Sequence, residues 1–104
     1  MKQENWNKLS FFEQMSNVDG DVQRLVRAHE SYLKGDAQTD YGEFYLNNVI
    51  KLIKMILLDE KNSTKAYRAV ELMDEIEEIK AYLAGQCSGE YILHYWNSYT
   101  NAIS

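Results

Sequence analysis

The chain has no proline, one cysteine and no long apolar run. Each absence excludes something. Proline in a helix interior removes a hydrogen bond and clashes with the preceding turn, so its absence suits an almost wholly helical chain. Cys87 alone can neither close an internal disulfide nor build a cysteine-based zinc site. The most apolar window, Val49 to Leu58, is ten residues long and carries Lys51 and Lys54. A membrane span needs about twenty apolar residues, so no membrane association is expected. The opening Met1-Lys2-Gln3-Glu4-Asn5 is polar and leads into no signal-peptide core, which makes a reducing cytoplasm the expected compartment. Cations are also scarce: 11 Lys and Arg stand against 16 Asp and Glu, a net charge of −5. That balance argues against coating DNA or RNA, which takes clustered Lys and Arg.

Hydrophobic residues form 45% of the chain, enough to build a core. A length of 104 residues suits one helical domain over 1–104. It leaves little room for a large buried cleft as well. Phe11, Met15, Val18, Val22, Leu25, His29 and Tyr32 recur at alternating steps of four and three, the mark of one amphipathic helix. The seam passes Gly20 without losing phase. At 100° per residue Gly20 lies opposite Phe11 and His29, where it disturbs no core contact. A break at Asn17 to Gly20, with Asp19 capping a second helix, is the alternative.

The boundaries follow from caps. Ser10 and Glu13 form a Ser-x-x-Glu capping box, and Gly35 suits the left-handed position past a helix end. Asp36 to Thr39 reads as a loop, and Asp40 with Glu43 repeats the capping pattern. The next helix runs to Leu58. Eight of the ten residues from Val49 to Leu58 are apolar, which makes this helix either the centre of the bundle or half of a dimer interface. Ser63 caps the third helix, whose apolar stripe reads Ala66, Ala69, Val70, Leu72, Met73, Ile76, Ile79 and Leu83. Glu71, Asp74, Glu75 and Glu78 fall on its opposite face. Gly85 ends it. Ser88 caps a fourth helix with Glu90 in its first turn, where a carboxylate meets the positive end of the dipole. The whole predicts an all-α, antiparallel four-helix bundle with helices at about 10–34, 41–58, 64–84 and 89–102.

Few residues suggest chemistry. Arg24 and His29 form an Arg with a His five positions later, which resembles the Arg-x4–6-His motif of HEPN-type ribonucleases, small helical proteins that usually act as dimers. The resemblance covers six residues. It implies RNA cleavage with the histidine in acid–base work. On one regular helix the two side chains point roughly 140° apart, so this reading needs both chains of a dimer at one open cleft. Otherwise His29 is a packed histidine among Val22, Leu25 and Leu33. Glu90 and His94 are four apart, whereas di-metal bundles use Glu-x-x-His in two copies; a surface pair is the simpler reading. No phosphate loop, strand pattern or catalytic triad is present, and no metal or cofactor is implied.

Partner binding is better supported. Tyr91, Ile92, Tyr95, Trp96, Tyr99 and Ile103 share one face of the fourth helix, opposite Glu90, His94, Asn97 and Asn101. Tyr and Trp are common interface anchors, though the same residues can close the bundle, and Trp6 can pack at that end. Glu71, Asp74, Glu75 and Glu78 repel one another at a few tenths of a kcal/mol per pair, with Arg68 and Lys80 as the available neutralisers. The expected function is that of a non-catalytic accessory or regulatory protein that binds another protein, a second copy of itself included. Acidic residues would set partner choice and association rate. An acidic nucleic-acid mimic is a further alternative. So is an inhibitor of the kind that bacteriocin immunity proteins represent, which the chain resembles in size and architecture alone.

Overall fold

A computed structural model describes residues 1–103, with the side chains of residues 1–100. The side chains of Asn101 and Ile103, assigned above to the two faces of the last helix, lie outside the described residues. The described chain is all α, with helices α1 (Gln3–Trp6), α2 (Phe11–Leu33), α3 (Gly42–Leu58), α4 (Glu60–Ser63), α5 (Ala66–Leu83) and α6 (Gly89–Ile103). The four long ones form the expected antiparallel bundle. Ser16 and Gln23 of α2 meet Thr100 and Asn97 of α6, so those two run in opposite directions. The start of α3 lies by the end of α5, where Gly42 faces Leu83.

The seam holds α2 together as one helix. Met15, Val18, Val22 and Leu25 are completely buried, and Gly20 has nothing near its missing Cβ except the tip of Arg24. The capping box is complete: Glu13 N–H donates to Ser10 Oγ at 3.1 Å and Ser10 N–H to Glu13 Oε1 at 2.9 Å. The Ser10 N–H donated to the carboxylate, with the Ser10 side chain beside it, favours the charged form and holds the Glu13 pKa below the ordinary value. Gly35 and Gly85 adopt φ of 81° and 80°, a left-handed backbone that any side chain would strain.

Other boundaries differ from the sequence reading. The helix expected at 41 starts at Gly42, and Asp40 divides its carboxylate. Oδ1 accepts the Gly42 N–H at 2.8 Å, while Oδ2 takes His29 Nδ1 at 2.7 Å, so no capping box forms with Glu43. Ser63 caps nothing. It ends the short α4, which is capped by Asp59, and its Oγ donates back to the Glu60 carbonyl. α5 therefore begins two residues later than expected, at Ala66. Ser88 behaves as anticipated and accepts Glu90 N–H at 3.1 Å.

α3 is not the centre of the bundle. Phe44, Asn47, Lys51, Lys54 and Leu58 are exposed along it. The central helix is α2, which packs extensively on both α3 and α6 while α5 touches its neighbours more lightly. Trp6 is buried at the end where α2 begins, the end at which Phe11 and Tyr99 meet edge to face at 6.1 Å.

A buried polar knot ties that end together. Gln14 is fully buried and its Nε2 donates to the Trp6 carbonyl at 3.0 Å and to Asp59 Oδ2 at 2.8 Å. Asn62 Nδ2 donates to Gln14 Oε1 at 3.0 Å and to the Ile56 carbonyl at 2.9 Å. Burial alone would push the Asp59 carboxyl up. Donors from Lys61 and Gln14 outweigh burial and leave its pKa below the ordinary value.

Candidate functional site

The site begins with the roll of α5. Its expected stripe included Val70 and Met73, but these are 64% and 51% exposed. The buried set is Leu72, Glu75, Ile76, Ile79 and Tyr82. On a helical wheel this face is turned roughly 80° from the expected one. Tyr82 holds the turn. Its ring stands edge to face on His29 at 5.0 Å, and its hydroxyl donates to the Val26 carbonyl at 3.3 Å. Burial pushes its pKa up to about 12, so it stays a neutral phenol. Arg68 adds a second hold: its guanidinium lies 3.8 Å over the Phe11 ring and donates to Asn62 Oδ1 at 2.9 Å.

Two consequences follow for the acids of α5. Arg68 is engaged with Phe11 and Asn62, and Lys80 reaches Glu77 at 3.5 Å. Glu75, which the sequence places on the face opposite the apolar stripe, is instead only 6% exposed. It occupies a core position between Leu72 and Ile79, in a Leu72, Glu75, Ile79, Tyr82 series with the same three-and-four spacing as α2. That series was present in the sequence. A charged member in the middle hides it from a search for apolar periodicity.

The carboxylates line a groove of about 600 Å³ on the flank of α5 next to α6. Glu71, Asp74, Glu75, Glu77 and Glu78 supply its acids, and Tyr67, Val70 and Tyr91 its apolar parts. Glu71 is anchored from α6: Tyr95 donates its hydroxyl to Glu71 Oε1 at 2.5 Å, with the Tyr99 hydroxyl 3.4 Å away. Burial and then that bond push the Tyr95 pKa up. Glu75 has no such help, and its Oε2 is buried with no hydrogen-bond partner. Burial, then the charges of Glu78, Glu71 and Asp74, raise its pKa to about 7. Among the described residues, no group of three or more His, Cys, Asp or Glu is arranged to hold a metal ion. The groove's acids are therefore spread along it without converging on a point.

The remaining candidates separate clearly. On α6, Trp96 and Ile92 are fully buried core, Tyr95 and Tyr99 are half-buried partners of Glu71, and Tyr91 is 57% exposed. Among the described residues of that face, Tyr91 alone lines the groove. Arg24 is exposed and pairs with Asp21 at 2.9 Å. His29 is 4% exposed, held by Asp40 and Tyr82; Leu33, expected beside it, is 68% exposed. The pair does not converge within the chain, and the ribonuclease-like reading would need an open histidine. Cys87 is half-buried with its Sγ 3.5 Å from the Glu78 carbonyl, and burial raises its pKa, which makes it a poor nucleophile. No helix among the described residues is long and apolar enough to cross a membrane.

A buried, unpartnered carboxyl should weaken the fold. A raised folded-state pKa means that the folded protein holds the Glu75 proton more tightly than the unfolded chain does. Its contribution is therefore fully present below the ordinary carboxyl value of 4.5 and lost as pH climbs toward about 7. Wild type should lose roughly 1–3 kcal/mol across that window through this residue, and Glu75→Gln should remove the loss. Urea denaturation at a series of pH values checks this; equal slopes for the two proteins would contradict it.

No protein-family model matches the chain, and no curated protein or solved structure matches it either.

Proposed function

We propose that this is a non-catalytic accessory protein that binds another protein, one with a basic surface, along the acidic groove of α5 and Tyr91 of α6. The observation that carries this reading is the groove itself, with five carboxylates beside exposed Tyr67, Val70 and Tyr91. Such a surface offers long-range attraction to a cationic partner and apolar area to hold it on contact. A second copy of the chain, itself at net −5, fits this groove poorly. A different protein is the better match. A lone cysteine suits a reducing compartment, so we place the protein in the cytoplasm.

Reversing charge at the lip of the groove tests the reading. Asp74→Lys combined with Glu78→Lys should weaken binding of a labelled peptide rich in arginine and lysine by at least about tenfold at low salt. Added salt should shrink the difference. Binding that ignores both the substitutions and the salt would refute the proposal.

A further inference from the structure

We propose that Glu75 is the anchor of the groove and takes the guanidinium of one arginine from the partner protein. This inference rests on the docking reading above and specifies its chemistry. Glu75 is 94% buried (6% exposed), lines the groove, and has a buried oxygen with no donor in reach. A buried acceptor without a donor is costly, and native proteins seldom leave one unless something else fills the position. The groups acting electrostatically on Glu75 are Glu78, Glu71 and Asp74 of its own helix, with no lysine or arginine among them. From α6 come the phenols of Tyr91, which lines the groove, and Tyr99, on whose titration Glu75 acts. The groove beside Glu75 is lined by acids, tyrosines and one valine and by no lysine or arginine, so the group that fits there is a cation.

Arginine fits better than lysine. A guanidinium is planar, carries parallel N–H donors that can serve both oxygens of one carboxylate, and sheds water more readily than an ammonium. It also stacks on aromatic faces, and Tyr67 and Tyr91 line the same groove. Glu71, already bonded by Tyr95, and the exposed Asp74 are left to attract the rest of the basic segment at longer range. Binding drives the proton from Glu75, since the guanidinium pairs only with the carboxylate. Affinity therefore rises with pH until Glu75 is ionised in the free protein and then levels off.

The test is fluorescence anisotropy with three labelled peptides of one sequence, carrying arginine, lysine or neutral citrulline at a single central position. Each is titrated from pH 5 to pH 8 against wild type, Glu75→Gln and, as a surface-charge control, Glu4→Gln. The proposal expects arginine to bind about tenfold or more tighter than citrulline, with lysine between them. Wild-type affinity for the arginine peptide should rise with pH. Glu75→Gln, which relieves a buried charge and so should fold well, should lose both the arginine preference and the pH rise, while Glu4→Gln keeps both. Arginine binding that is salt-sensitive but identical in wild type and Glu75→Gln would overturn the anchor and leave the docking reading standing. Failure of every peptide to bind, with the lip variants unchanged, would overturn both.

Discussion

Replacing Trp96 with alanine should cost about 3–5 kcal/mol and lower the melting temperature by roughly 15–30 °C, a loss comparable to the whole stability of many small domains. Trp96 is fully buried on α6, the helix that shares one of the two extensive interfaces of α2. Its ring packs edge to face on Tyr95 at 5.3 Å and lies 6.4 Å from Tyr99. Truncation removes that area and opens a cavity which two helices anchored at several other points cannot close. Because the indole nitrogen is buried without a hydrogen-bond partner, Trp96→Phe sacrifices no bond and should lose less than half as much. Thermal melts followed by far-UV circular dichroism distinguish the two; equal losses would mean that the polar edge of the ring matters more than its volume.

Asn62→Leu should cost about 2–3 kcal/mol although the new side chain is apolar and of similar size. Asn62 is 2% exposed and serves three groups at once: the Gln14 amide oxygen, the Ile56 carbonyl and Arg68. Leucine would leave Gln14 Oε1, on a fully buried side chain, with no donor. Ser63→Ala, one residue further on an exposed position, should stay within about 0.5 kcal/mol. Chemical denaturation of the two variants measures the difference, and matching midpoints would show that the knot contributes nothing.

Much of this architecture was legible in the residues. The uninterrupted seam of α2, the Ser10–Glu13 box and the left-handed Gly35 and Gly85 are local features, decided by periodicity and backbone preference within a few residues. The rest is set by partners distant in the chain. α1 and α4 are too short to show periodicity, and they are held through Trp6, Gln14, Asp59 and Asn62. The apolar composition of α3 suits either a central helix or half of a dimer interface, and its lysines keep one side in water. The acids of α5 are legible as a set from their spacing, and the structure adds Glu77 to them. The burial of Glu75 is not legible locally, because it depends on the roll that Tyr82 imposes through Val26 and His29.

The most direct measurement is an NMR titration of the isotope-labelled protein with the arginine peptide, following backbone amides. Docking at the acidic groove predicts saturable shifts that cluster at Tyr67, Asp74, Glu75, Glu78 and Tyr91 and leave the exposed face of α3 unmoved. Shifts centred on α3, or around Arg24 and His29, would contradict it.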